Sequence, residues 1–165
     1  MLSLDLSASS ALLLTTYVAA LAMLYGAFNA TVLTPYMDEP FHVGQTQAYC
    51  AGHWSAWDDK ITTFPGLYAC VASVARALGK VGAFFSFIPD APEKLCTLPA
   101  LRAANLLPAF VTPLILHALF RALHPGTSTE DAFANALVLS LLPTHFFFHF
   151  LYYTDSAATA VNCKI

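Results

Sequence analysis

Long uncharged runs separated by short polar stretches organise this chain. From Leu6 to Met37 no side chain carries a charge. Residues 11–33 supply the ~20 consecutive apolar positions that a bilayer-crossing helix requires. A cleaved leader is the rival reading. It is disfavoured because the first ten residues hold no Lys or Arg, and the run is longer than the roughly 7–15 apolar residues of a leader. Residues 11–33 therefore read as the first transmembrane helix. Further apolar spans are expected over 64–88, 98–123 and 132–160, with an acidic loop over 34–63. The pattern predicts an all-α, multi-spanning membrane protein, one module over residues 1–165 without internal repeats.

Proline refines these elements. Pro40 suits the first turn of a short helix over Phe41–Cys50, because proline lacks an N–H that this turn does not use. Glu39 then falls at the cap and Asp38 just before it, both facing the positive end of the helix dipole. Pro108 and Pro113 are expected to kink the third run. Pro143 allows the fourth run to divide into two half-helices, a device found where membrane-embedded backbone lines a cavity. Residues 86–96, with two prolines and three charges, read as a loop.

Composition agrees with the pattern. Hydrophobic residues make up 58% of the chain and charged residues 10%, against roughly 45–50% and 25% in soluble domains. The net charge of −3 includes no basic cluster, which argues against a nucleic-acid partner. The few Lys and Arg are spread over all the loops, so membrane orientation is not legible from charge. Cys70, Cys96 and Cys163 lie in apolar segments and read as small buried hydrophobes. Cys50 has no partner within its polar loop. No structural disulfide and no cysteine-based zinc site are expected.

The candidate chemistry concentrates in the acidic loop. Asp38 and Glu39 read either as capping acids in a solvated loop or as a general base for glycosyl transfer, one carboxylate taking a proton from an attacking hydroxyl. His42, one helical turn beyond Glu39, reads first as a solvated surface histidine and second as a group that orients an acid or ligand. Tyr36, Tyr49, Trp54 and Trp57 suit a sugar-stacking surface or an interfacial aromatic belt. Asp58, Asp59 and Lys60 form a charged turn in which Lys60 is able to meet a phosphate. Arg76 and Lys80 share a helix face, as snorkelling cations or as a phosphate-binding pair. His145 and His149 also share a helix face and with Asp155 suggest a metal or haem site, but without a Glu or a third histidine at a recognised offset. Asn29-Ala-Thr31 is an N-glycosylation sequon at the membrane end of the first span, beyond an enzyme's reach.

Two blocks carry a resemblance. The first is Tyr36-Met-Asp-Glu-Pro-Phe-His42, followed by Gln45-x-Gln47-x-Tyr49-Cys50 and by Trp57-Asp58-x-Lys60-Ile-Thr-Thr-x-Pro65-Gly66-Leu67-Tyr68. The second is Phe146-Phe-Phe-x-Phe150-Leu-Tyr-Tyr-Thr-Asp155-Ser156, with a weaker match at Cys96-x-Leu98-x-x-Leu101-Arg102-x-x-Asn105. In this order they resemble the eukaryotic dolichyl-phosphate-glucose α-1,2-glucosyltransferases. Asp59 and Phe64 stand where that pattern tends to have proline.

The resemblance implies a GT-C type fold in the endoplasmic-reticulum membrane, with the first loop luminal. It implies inverting transfer of glucose from dolichyl-phosphate glucose to a diglucosylated dolichyl-diphosphate oligosaccharide, the last step in assembling the donor for N-glycosylation. Neither a cofactor nor a metal is implied. It assigns base catalysis to Asp38 or Glu39, with Asp38 preferred, and substrate contacts to His42, Trp57, Asp58, Lys60, Tyr153 and Asp155. Family members have more spans than this chain, so it reads as the amino-terminal part of a longer enzyme. A membrane scaffold or a transporter-like lipid-binding protein is the alternative, with the acids and Arg76/Lys80 binding cargo.

Overall fold

The computed structural model describes residues 7–84 and 92–162, and every regular element among them is helical. In chain order these are α1 (Ala8–Thr31), α2 (Glu39–Cys50), α3 (Gly66–Phe84), a 3-10 turn (Pro92–Leu95), α4 (Leu98–Ala104), α5 (Leu106–Leu123), α6 (Thr129–Ser140), α7 (Pro143–Phe148) and α8 (Thr154–Asn162). The expected 86–96 loop falls partly outside the described residues, as do Cys163 and the end of the 64–88 run.

Among the described residues two stretches are long and apolar enough to cross a membrane: α1, and α4 with α5 over Leu98–Leu123. α1 begins where Ser7 caps it, its Oγ accepting the Ser10 N–H at 3.2 Å. It is apolar on nearly all sides and leaves Leu12, Leu13, Met23 and Leu24 exposed, as suits a helix whose surroundings are lipid. The two stretches run antiparallel. Tyr17 Oη donates to the Ala109 carbonyl (3.1 Å) near one end, and Tyr25 Oη donates to the Pro99 carbonyl (2.7 Å) near the other. The first of these bonds has a local cause. Pro113 lacks the N–H that would bond Ala109 one turn back, so that carbonyl is free to accept the tyrosine hydroxyl.

The third apolar run breaks one turn before Pro108, whose missing N–H would have bonded the Ala104 carbonyl. α4 gives way to α5 at Asn105, one turn before Pro108, while Pro113 lies inside α5. Pro108 removes a helical N–H in the first turn of α5, and Asn105 is anchored sideways instead. Its Nδ2 donates to the carbonyls of Leu151 (2.6 Å) and Tyr153 (2.8 Å). The fourth run is α6, α7 and α8, with α7 starting at Pro143. α6 is capped by Ser128 and packs along α5 through Ala132, Phe133 and Ala136, all buried.

One core lies between α1, α5 and α6, and includes Tyr17, Leu21, Ala109, Phe133 and Phe150. A second joins α2 and α3 through Val43, Tyr49, Tyr68, Ala72 and Ala75, with Leu101 from α4 and Tyr152 from the segment between α7 and α8. Here the cysteine expectation fails. Cys50 and Cys96 are disulfide-bonded, with Cα atoms 6.6 Å apart, tying the end of α2 to the residue pair before α4. The partners are 46 residues apart in sequence, so neither loop composition nor local spacing reveals them.

Candidate functional site

The acidic loop meets the membrane ends of α1 and α4 at one guanidinium. Arg102 is fully buried, and each of its five N–H donors is used. Nε donates to Glu39 Oε1 (2.9 Å), and one terminal nitrogen to Glu39 Oε2 (2.7 Å) and the Thr34 carbonyl (3.1 Å). The other donates to the Val32 carbonyl (2.6 Å) and Asn29 Oδ1 (3.3 Å). The Phe28 ring lies 5.0 Å from the guanidinium carbon. Asn29, the sequon asparagine, is thus engaged at its oxygen, and its Nδ2 donates to Tyr25 O (2.9 Å).

Glu39, equally buried, is saturated. Besides Arg102, its Oε1 accepts the Tyr152 N–H (2.7 Å) and its Oε2 the Tyr36 N–H (2.8 Å), so each oxygen holds two donors. Asp38 is its opposite. It caps α2 but makes no capping side-chain bond, and it is exposed. Its backbone is held firmly: the N–H donates to Tyr153 Oη (2.6 Å). Met37, immediately before it, has φ of 54°, a left-handed conformation that a non-glycine residue rarely adopts. That reversal turns the chain into α2 and leaves Asp38 at the rim.

His42 departs from the surface reading. It is buried, 2.5 Å from Tyr68 Oη through Nδ1, stacked on the Tyr68 ring and edge-on to Tyr153. Burial pushes its pKa below the ordinary range, opposed by the carboxylates of Asp38, Asp155 and Glu39. Tyr68 Oη also meets Thr63 Oγ1 (2.8 Å), and Tyr152 Oη meets Thr46 Oγ1 (2.9 Å). The 151–153 segment is therefore bonded to Glu39, Asp38, Thr46 and Asn105.

Trp57 and Asp58 lie on the other flank of α2. With Pro40, Phe41, Gly44 and Gln45 they line a shallow pocket of about 270 Å³. Gln45 shapes it, donating to the Ala56 carbonyl (2.8 Å) and accepting the Asp58 N–H (3.0 Å). The Lys60 ammonium sits 5.3 Å from the Phe41 ring centroid. Asp155 is exposed in the first turn of α8, where it acts electrostatically on His42 and Tyr153. The structure thus gathers Asp38, His42, Tyr153 and Asp155, and sets Trp57, Asp58 and Lys60 beyond Pro40 and Phe41.

Arg76 and Lys80 do not act as a pair. Arg76 donates to the Cys50 carbonyl (2.9 Å) and lies over Trp54, while Lys80 is exposed. His145 and His149 stand with ring centroids 4.5 Å apart, and His149 Nδ1 meets Ser156 Oγ (3.0 Å). Among the described residues no three His, Cys, Asp or Glu side chains gather as a metal site. Sequence reasoning missed the anchoring role of Arg102 and Asn105. A signal was present: a cation within an apolar span needs a buried partner.

Fold and site together define an all-helical protein with two candidate membrane-spanning stretches, in which a buried ion pair fixes a loop whose neighbouring carboxylate is open. The chain belongs to the DIE2/ALG10 family, whose family model matches residues 32–164. It is 40% identical over 134 residues to the Dol-P-Glc:Glc(2)Man(9)GlcNAc(2)-PP-Dol alpha-1,2-glucosyltransferase of Arabidopsis thaliana, covering 81% of this chain and 26% of that protein. The identically named proteins of Homo sapiens and Yarrowia lipolytica are 36% identical over 141 residues and 38% over 144. Those matches cover 82% and 87% of this chain, and 28% and 26% of the relatives. The chain thus spans about a quarter of the length of the curated relatives it matches. No solved structure matches it significantly.

Proposed function

We propose that this chain forms the base-bearing part of an inverting glucosyltransferase of the endoplasmic-reticulum membrane. The donor is dolichyl-phosphate glucose and the acceptor a diglucosylated dolichyl-diphosphate oligosaccharide. The names of the relatives support these substrates, and the buried disulfide supports a luminal acidic loop, since such bonds persist in oxidising compartments.

The observation that carries the mechanism is the contrast between the two acids. A base must have a free lone pair within reach of the substrate. All the accepting directions of Glu39 are taken, whereas Asp38 is open and its backbone is fixed. Asp38 takes the proton of the acceptor glucose 2-hydroxyl as that oxygen bonds to the donor's anomeric carbon. The bond from this carbon to the phosphate oxygen breaks on the opposite face, and dolichyl phosphate leaves with the electron pair. The step balances without a cofactor. Stabilising the leaving phosphate calls for cations rather than a proton donor.

Around the base, His42 and Tyr153 fix the wall, and Tyr153 presents its hydroxyl proton to a sugar oxygen, since its oxygen already accepts from Asp38. Asp155 and the Trp57–Asp58 pocket hold sugar hydroxyls, with Lys60 near the donor phosphate. An apolar groove of about 520 Å³ between α1 and α7, lined by Leu24, Phe28, Pro143, Phe146 and Phe147, opens beside this site and suits the isoprenoid part of a substrate. Glu39 is a structural acid in this reading.

The test is Asp38→Asn in a full-length relative, assayed in microsomes with labelled dolichyl-phosphate glucose. Transfer falls by about 10²–10⁴-fold with protein abundance unchanged. Normal addition of the terminal glucose would reject Asp38 as base.

A further inference from the structure

Pocket and base occupy different places on α2. We propose that the Trp57–Asp58 pocket is a subsite for one further glucose, the acceptor sugar bonded behind the reacting one. The subsite rests on the glucosyl-transfer reading and adds a second point of contact with the acceptor.

Position separates the two sugars. The reacting hydroxyl must come within hydrogen-bond reach of Asp38. Gly44, on the pocket floor, is six residues further along α2, about 9 Å at 1.5 Å per residue. Phe41, Gly44 and Ala48 also face about a quarter turn away from Asp38. A ring in the pocket is therefore too far from the base to react, and sits where the next ring of the same chain falls. The donor is kept apart from it. The apolar groove between α1 and α7 shares no lining residue with the pocket, whose walls are α2 and residues 56–58. The acceptor in the relatives' name, Glc(2)Man(9)GlcNAc(2)-PP-Dol, carries two glucoses, one to react and one behind it.

The lining suits a pyranose. A volume of about 270 Å³ admits one ring and little more. Trp57 is steadied against Tyr68, with ring centroids 6.3 Å apart, yet keeps 41% of its surface open to stack on the apolar face of a sugar. Asp58 supplies the polar side. Its N–H donates to Gln45 Oε1 (3.0 Å) and its Oδ1 accepts the Lys60 N–H (3.0 Å). Its Oδ2 has no partner among the described residues, and so is left to accept a sugar hydroxyl. Gln45 is buried with both ends of its amide engaged, so this wall is set before a ligand arrives. At Gly44 a Cβ would meet no atom within 4 Å. Glycine inside a helix lowers stability relative to alanine. No packing contact requires it here; what it does is leave the pocket floor clear.

The test titrates the full chain in detergent with glucose and with free glucose disaccharides of each linkage, binding being read by saturation-transfer NMR. One disaccharide binds about tenfold more tightly than glucose, because its second ring gains the Trp57 face. Gly44→Leu fills the pocket without touching Asp38. It lowers the affinity for that disaccharide to the level of glucose, whose own affinity is unchanged. Trp57→Ala narrows the same gap. Equal affinity for glucose and every disaccharide overturns the subsite, as does failure of every disaccharide to bind or a gap that Gly44→Leu leaves intact. Loss of glucose binding in Gly44→Leu would put the reacting ring itself in the pocket, and overturns it too. These affinities are measured without donor and judge the subsite alone, whereas transfer by Asp38→Asn judges the base.

Discussion

Asp38 and Glu39 are neighbours in sequence, yet they occupy opposite environments. Behind Glu39 lies a closed wall: Arg102 with every donor matched, Asn105 bonded to two carbonyls, and the 151–153 backbone docked on both. In front of Asp38 lies an open rim bounded by Tyr153, Asp155 and the Trp57–Asp58 pocket. Successive residues at a helix start point about 100° apart, so one acid turns inward and the next outward. The lesson is a division of labour. The inward carboxylate spends its lone pairs on holding the loop, and that rigidity leaves the outward one free and fixed in place.

The sharpest way to break this contrast is to unpair the wall. Arg102→Met leaves the Glu39 carboxylate buried without its cation, which costs about 3–5 kcal/mol. Thermal unfolding of the detergent-purified chain reads that loss. Glu39→Gln with Arg102→Met removes both charges and recovers much of it, whereas Asp38→Asn changes stability little. If Asp38→Asn were as destabilising as Arg102→Met, the two acids would not differ as the geometry requires.

The next largest effect comes from the disulfide. Cys50→Ser costs roughly 2–4 kcal/mol by freeing the unfolded chain and by loosening the link between α2 and α4. A gel-shift assay with a thiol reagent provides the check: the untreated chain shifts at Cys50 and Cys96 only after reduction. A shift without reduction would mean that the wall stands without this tie.

How much of this was legible in the sequence follows from the range of each interaction. The start of α2 at Asp38–Pro40 and the break at Pro143 are local, written in proline geometry and end effects, and both are readable. The ion pair joins residues 63 apart in sequence, and the disulfide residues 46 apart; periodicity carries no information at those distances. His42 misled for a different reason. The inward face of α2 is built from His42, Gln45 and Thr46, so a polar pattern that normally marks a solvated face marks a hydrogen-bonded interior here.

Tyr153 joins wall and rim, and Tyr153→Phe tests that junction. It deletes the acceptor for the Asp38 N–H, a bond worth about 1 kcal/mol net. Stability falls by about that amount. If Asp38 is the base as proposed, kcat in a full-length relative falls by up to about 10²-fold as that residue loses its position, with KM less affected. Unchanged kcat would separate the wall from the chemistry.

The smallest expected effect concerns His42 and has a defined sign. Its folded pKa is lowered by burial, so at mildly acidic pH the unfolded chain binds more protons at this residue than the folded chain does. The stability from keeping it neutral is fully present above the ordinary histidine value of about 6.5. It is lost progressively as pH falls through the folded value. His42→Gln removes the titration, so its unfolding temperature varies less between pH 7.5 and 5 than that of the unmodified chain. The variant also loses the Tyr68 contact and its ring stacking, which lowers stability at every pH and separates the two effects: a uniform drop reports packing, a change of slope reports the proton. An unchanged slope would mean that His42 meets solvent on the rim beside Asp38 instead of lying within the wall.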